Sequence, residues 1–167
     1  PLLANLYLHE VLDDWFANEV QPRLKGNSGM VRYADDAVLY FDRKEDAERV
    51  MKVLPKRLEK FGLQLHPEKT RLIDFTRAEA QDRKSTFNFL GFTHICGETR
   101  NGKFIVLRHT MRQRLTAKIR ELKGEIKRRR HWPVPIVGQW LRSVALGHYR
   151  YYGFPLNSRK LASFRHR

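Results

Sequence analysis

The chain contains a single cysteine, Cys96. An internal disulfide needs two and a thiolate-built zinc or iron–sulfur centre needs more, so neither is available, and a reducing compartment, the cytosol, is the default expectation. The seven histidines never recur at metal-ligand spacing such as His-x-x-x-His, and they are read as surface or packing residues. No apolar run approaches the roughly 20 residues of a membrane span, and the start has neither a basic n-region nor an apolar h-region. Internal repeats are absent, and so is low complexity apart from the charge run Lys127-Arg128-Arg129-Arg130. There is no initiator Met. Pro1-Leu2-Leu3-Ala4-Asn5-Leu6 is already in helical rhythm, as though a longer polypeptide continued into it.

Acid is the other scarcity, and it is local. Up to His109 there are 18 Lys/Arg against 16 Asp/Glu, whereas from Thr110 onward there are 15 against 2, within a formal net charge of +15. A solvated face commonly mixes both signs, so a stretch nearly free of acid favours a polyanion-binding surface, placed in the C-terminal part. At 167 residues one hydrophobic core with a helical appendage fits, and two large domains do not.

Hydrophobic spacing predicts the elements. Leu8, Val11, Leu12, Trp15 and Phe16 recur at three and four residues over Leu3 to Val20, an amphipathic helix with His9, Glu10, Asp13, Asp14 and Asn18 facing away. Met30–Tyr33 and Ala37–Phe41 read as a hairpin separated by Ala34-Asp35-Asp36, where Asp tolerates turn angles. Asp42 and Glu45 form a capping-box pattern before a helix with Ala47, Val50, Met51, Leu54, Leu58 and Phe61 on its stripe, kinked at Pro55 and closed by Gly62. Short strands are expected at Leu63–Leu65 and Thr70–Phe75, then a polar loop to Thr86, then a hairpin of Phe87–Cys96 with Lys103–Arg108. Thr110 is the expected N-cap of a basic helix to Arg130, and a last helix runs from Ile136 to Tyr152. The class is α+β, an antiparallel sheet with helices on one face.

Two adjacent carboxylates at a hairpin tip repel, so something positive belongs beside Asp35 and Asp36. Either they are turn residues and nothing more, or they hold Mg2+, with Mn2+ as the alternate hard cation, for phosphoryl-transfer chemistry. Apolar flanks on both strands favour the second reading, with a buried hairpin presenting its tip in a cleft. The pair Asp13-Asp14 has no partner in view and is read as a polar helix face.

Four ordered blocks resemble reverse transcriptases of bacterial group II introns: Pro1-Leu2-Leu3-Ala4-Asn5-Leu6-Tyr7-Leu8, the Val31-Arg32-Tyr33-Ala34-Asp35-Asp36 hairpin, Gly62-Leu63-Gln64-Leu65-His66-Pro67-Glu68-Lys69-Thr70, and Phe89-Leu90-Gly91-Phe92. The stretch from Leu141 to Gly153 resembles the thumb or maturase region of that family. The resemblance implies an RNA-directed DNA polymerase whose partners are an RNA template, a DNA primer, group II intron RNA and deoxynucleoside triphosphates. Residues 1–109 would be part of a palm with a primer-grip hairpin, and 110–167 a helical thumb. Asp35 would be the principal metal ligand and Asp36 the second carboxylate, with Ala34 leaving room for the primer end and Tyr33 packing beneath it.

Lys69 would be a cation near the triphosphate, unless it is an ordinary exposed turn lysine. Leu90, Gly91 and Phe92 would form the primer grip, although a plain bend in a core strand has the same look. Arg112, Arg114, Lys118, Arg120, Lys123 and Lys127 would track template and primer phosphates. The family also needs an earlier carboxylate and nucleotide-holding residues that nothing here matches, so this chain by itself is expected neither to bind two Mg2+ ions well nor to polymerise. A maturase module that grips intron RNA without catalysis is the competing reading. A retron or defence-associated reverse transcriptase with the same chemistry is a third.

Overall fold

A computed structural model of the chain describes residues 2–76 and 85–166. Pro1, Arg167 and most of the expected polar loop, 77–84, lie outside the described residues. The fold is α+β with antiparallel sheets, and it divides into two compact units, Pro1–Ile73 and Asp74–Arg167. This is a division by packing. The expected division of labour at His109/Thr110 is a separate matter.

In the first unit, helix α1 (Leu2–Leu8) runs on through π-helical turns at His9–Asp14 and Phe16–Val20 and a 3-10 turn at Gln21–Arg23. The predicted apolar stripe is the core face, since Val11, Leu12, Trp15 and Phe16 are all buried. The wider π turns put one more residue into each turn than an α-helix does, and such turns concentrate at functional sites. Strands β1 (Ser28–Tyr33) and β2 (Asp36–Phe41) pair antiparallel with Tyr33 opposite Asp36. The loop is therefore Ala34-Asp35 alone, and Asp36 is the first residue of a strand, where the sequence reading made it part of the turn.

Period-two alternation sends Met30, Leu39 and Phe41 onto the helical core and leaves Val31, Tyr33 and Tyr40 on the other face, where they are 54, 65 and 56 % exposed. The expectation of a hairpin buried on both sides thus fails. Apolar flanks in a half-covered strand pair look the same in sequence as those of a buried one. On that outer face the exposed Tyr40 ring folds over Gly29 into the space a Cβ would take, so a larger residue there would have to displace the ring.

Helix α2 (Lys44–Glu59) carries most of the expected stripe, with Ala47, Val50, Leu54 and Leu58 buried and Met51 partly so, while Phe61 lies past the helix end and is exposed; the helix passes through Pro55 and is followed by Gly62 at φ +69°. Its N-terminus differs from the expected capping box. Arg43 is the cap residue and no side chain bonds there. The buried Asp46 instead accepts the Lys25 and Gly26 backbone N–H groups, both at 2.9 Å, tying the preceding loop to the helix. Residues 63–75 form no strand. Leu63 and Leu65 pack against the core from an extended segment.

In the second unit, β3 (Thr86–Phe89), β4 (Phe92–Glu98) and β5 (Phe104–Thr110) form a meander. The predicted strand Phe87–Cys96 is really two strands, reversed at Leu90-Gly91. Helices α3 (Arg112–Arg128), α4 (Val134–Tyr152) and α5 (Ser158–Arg165) follow. Thr110 does not cap α3; it is the last residue of β5, and the cap is Met111. Fully buried Asn157 explains why: its Oδ1 accepts from the Thr110 N–H at 3.0 Å, and its Nδ2 donates to Thr110 Oγ1 and to the Tyr152 carbonyl, both at 2.8 Å. Arg129 lies over both Trp132 and Trp140, at 5.2 and 4.3 Å from their ring centroids, at the corner between α3 and α4.

Phe16 is fully buried in the first core and contacts Phe41 edge-on at 6.2 Å. Phe16→Ala is expected to destabilise the first unit by about 3–5 kcal/mol, as core Phe truncations do. Urea unfolding followed by Trp15 fluorescence measures it.

Candidate functional site

The turn between β1 and β2 brings together four of the residues singled out by sequence: Tyr33 at the end of β1, Ala34 and Asp35 in the loop and Asp36 at the start of β2, all exposed. Ala34 takes the left-handed φ of +50° and Asp35 does not. A positive φ at the first of two loop residues is the II′ pattern, which matches strand twist and ordinarily calls for glycine.

What holds Ala34 there is a side chain from its own strand. Arg32 donates from Nη1 to the Ala34 carbonyl at 3.0 Å and to Asn5 Oδ1 at 3.2 Å, while Nε and Nη2 grip the two Asp13 oxygens at 2.7 and 2.6 Å. Asp13, which the sequence reading left as a bare polar face, is half-buried and partnered. Hydrogen bonds from Arg32 hold its carboxyl below the usual carboxylate range against a smaller push from burial, and His9 adds a contact at 3.3 Å. Those same bonds to Asp13 keep Arg32 firmly charged, and Asp35 contributes through space. The guanidinium's own hydrogen bonds go to Asp13, Asn5 and Ala34, so its reach to the turn carboxylates is the through-space attraction to Asp35. A signal existed: an Arg on the core-facing side of an apolar strand needs a carboxylate near it.

Asp35 and Asp36 are hard oxygen donors of the kind that suits Mg2+. Among the described residues no group of three or more His, Cys, Asp and Glu is placed to hold a metal ion. The donor chemistry therefore fits a divalent ion, and the donor number is short of a complete site. Lys69 lies in the exposed turn His66–Thr70, whose Lys69 and Thr70 N–H groups reach the His66 carbonyl. Its ammonium makes no ion pair among the described residues.

Leu90-Gly91 is a second two-residue reversal, with φ +49° and +78°, both left-handed as in a I′ turn. The strained Leu90 again has its carbonyl bound, by the Tyr151 hydroxyl at 2.8 Å, and the Gly91 carbonyl accepts from the Met111 N–H at 3.0 Å. Glycine suits position 91 on two counts, the left-handed backbone and a Cβ position only 2.9 Å from the Tyr152 hydroxyl. Phe92 points inward among Tyr151, Tyr152 and Phe154 at centroid distances of 5.8, 5.1 and 5.3 Å. At least two of the C-terminal tyrosines are therefore packing residues.

The six cations singled out on α3 do not form one face. At about 100° per residue, Arg112, Arg120, Lys123 and Lys127 fall within an arc of about 80° on one flank of the Leu115/Leu122 stripe. Arg114 and Lys118 fall on the other flank, and so do Glu121 and Glu125, the only two acids from Thr110 onward. Those acids are satisfied locally: Glu121 by Lys118 at 2.8 Å, and Glu125 by Arg128 at 2.6 Å and by Arg129. The Arg112/Arg120/Lys123/Lys127 flank makes no ion pair among the described residues.

Two histidines of this unit are held neutral. His148 is buried and stacked on Phe164 at 3.8 Å, and His94 is stacked on Phe87 at 4.7 Å. His148 Nε2 and His94 Nδ1 have no hydrogen-bond partner. Burial first, then the charges of Lys118 and Arg108 respectively, push both imidazoles below their ordinary 6.5. The unfolded chain therefore takes up protons below pH 6.5 that the native unit resists. Stability is fully present above about 6.5 and drains as pH falls beneath it. The thermal midpoint is expected to drop from pH 7.5 to 5.5, above the range in which Asp13 and Glu125 titrate, and His148→Phe should reduce that drop.

A family model described as reverse transcriptase (RNA-dependent DNA polymerase) matches residues 1–94, more than half of the chain. Comparison with curated proteins and with solved structures gives no match.

Proposed function

The chain belongs to the reverse transcriptase family, and on that premise we propose that it is the palm-and-thumb part of a group II intron-type RNA-directed DNA polymerase. The observation that carries this reading is the Asp35/Asp36 turn, two exposed carboxylates on a rigid hairpin inside the matched region. A primer 3′-hydroxyl attacks the α-phosphate of a deoxynucleoside triphosphate and pyrophosphate leaves. A divalent ion held by Asp35 and Asp36 supplies charge stabilisation at the reacting phosphate when bound. Ala34 keeps bulk away from the primer end, Tyr33 offers an aromatic ring beside it, and Lys69 meets charge on the triphosphate. Leu90, Gly91 and Phe92 form a rigid reversal that the primer backbone approaches, with Phe92 its buried anchor.

Template and primer phosphates bind to the acid-free flank of α3, through Arg112, Arg120, Lys123 and Lys127. Arg114 and Lys118 share their flank with the acids and contribute less. Two carboxylates at the turn are short of a complete two-metal site among the described residues, so this chemistry calls for at least one further ligand. Its setting is cytoplasmic. Among the described residues no helix is long and apolar enough to cross a membrane.

The same α3 flank supports a second activity, gripping intron RNA as a maturase does. Asp35→Ala with Asp36→Ala in the full-length polypeptide separates the two. Primer extension is expected to fall at least about 1,000-fold, the scale of losing a preorganised electrostatic group, while intron RNA binding is retained; unchanged synthesis refutes the site. Arg112→Glu with Lys123→Glu and Lys127→Glu is expected to weaken binding of any RNA. It should also lower the slope of log affinity against log salt by roughly 0.7–0.9 for each lost phosphate contact. Filter binding across a salt series measures it.

A further inference from the structure

We propose that Asp13 and Arg32 are positioning residues that set the aim of the Asp35/Asp36 turn, a role that rests on the polymerase reading above. A structural ion pair would need only the two Arg32–Asp13 contacts, at 2.6 and 2.7 Å. The guanidinium does more. Its third nitrogen, Nη1, bonds the carbonyl of Ala34, the one residue of the reversal with left-handed backbone.

The peptide linking Ala34 to Asp35 is planar, so fixing the Ala34 oxygen also fixes the plane that holds the Asp35 N and Cα atoms. That plane sets where the Asp35 Cα sits and how its N–Cα bond is directed, and the rotation left about that bond is limited by the Tyr33–Asp36 pairing that closes the turn. Asp36 is aimed independently by its strand pairing to Tyr33. Two adjacent carboxylates with separate anchors can converge on one ion, whereas a free turn leaves one of them to wander. Arg32 can act this way because it is itself immobile. Its side chain is 12 % exposed, and the partner Asp13 is anchored in the π-helical turn His9–Asp14 and braced by His9. Opposite Arg32 across the hairpin stands Ala37, too small to compete for the space.

A lysine keeps the charge but has no planar fork, so it cannot hold Asp13 through both oxygens and the Ala34 carbonyl together. Arg32→Lys and Asp13→Asn, made separately in the full-length polypeptide, test the inference. The probe is Mn2+ alone, its affinity read from the EPR signal of free ion, together with kcat for primer extension per active molecule from burst amplitude. Expected for both variants is Mn2+ binding weakened about tenfold. A kcat lower by about 10- to 100-fold should accompany it, the scale of a misplaced reacting group, with KM for the deoxynucleotide changed less than kcat.

A residue that only supports the fold would lower the burst amplitude and leave Mn2+ affinity and kcat per active molecule intact. That result, in whichever variant folds, overturns the positioning role. Asp35→Ala with Asp36→Ala is the control for the underlying reading. If that double variant still polymerises, the polymerase site itself is misassigned; if it is dead while Arg32→Lys and Asp13→Asn behave as the unaltered polypeptide, only the positioning role fails.

Discussion

A two-residue reversal between antiparallel strands asks for left-handed backbone, and this chain twice meets that demand without glycine in the first position. Ala34 and Leu90 hold φ of +50° and +49°. An L-residue in that region costs about 1–2 kcal/mol and persists only where its surroundings over-determine it. Both turns are over-determined by the same device, a side chain bonded to the carbonyl of the strained residue: Arg32 in one unit, Tyr151 in the other. Much else in each unit is arranged behind those two donors. The π-helical turn presents Asp13 to Arg32, and the end of α4 packs Tyr151 and Tyr152 around Phe92.

Buried polar groups pin the backbone where apolar packing cannot. Asp46 gathers the two N–H groups of the loop before β1, and Asn157 joins the end of β5 to the end of α4 with three hydrogen bonds. Each of these contacts fixes register as well as stability, because a buried polar atom has few alternative partners. The two turns therefore project from frames pinned by hydrogen bonds. Catalytic and binding constellations need that rigidity more than they need extra stability.

Charge is sorted on a finer scale than composition reveals. The strong basic excess after Thr110 is a property of sequence, but its division into an acid-free flank and an acid-paired flank of α3 depends on the helical repeat around the Leu115/Leu122 stripe. Local pairing of Glu121 and Glu125 leaves the opposite flank with its full cationic field.

Sequence by itself determined the α+β class, the core stripes of the first and second helices, the C-terminal basic helix and, to within a residue, the reversal that the structure puts at Ala34-Asp35. Each of those is written in a local period or a local turn. Family membership was legible for the same reason, in four short ordered blocks. Tertiary structure alone decided the rest. It left one face of the first hairpin open, since alternation names two faces without saying which is covered. It folded Phe87–Cys96 back at Leu90-Gly91, since a Leu in left-handed backbone is tolerated only because Tyr151 and Tyr152, some sixty residues on, are there to hold the turn. It drew the expected cap Thr110 into hydrogen bonds with Asn157, and it began the second helix after Arg43 with no side-chain cap. Above all it joined Asp13 to Arg32, two residues that read separately as a solvated helix face and an ordinary strand position, and that meet because opposite charges on the inner sides of two packed elements must pair.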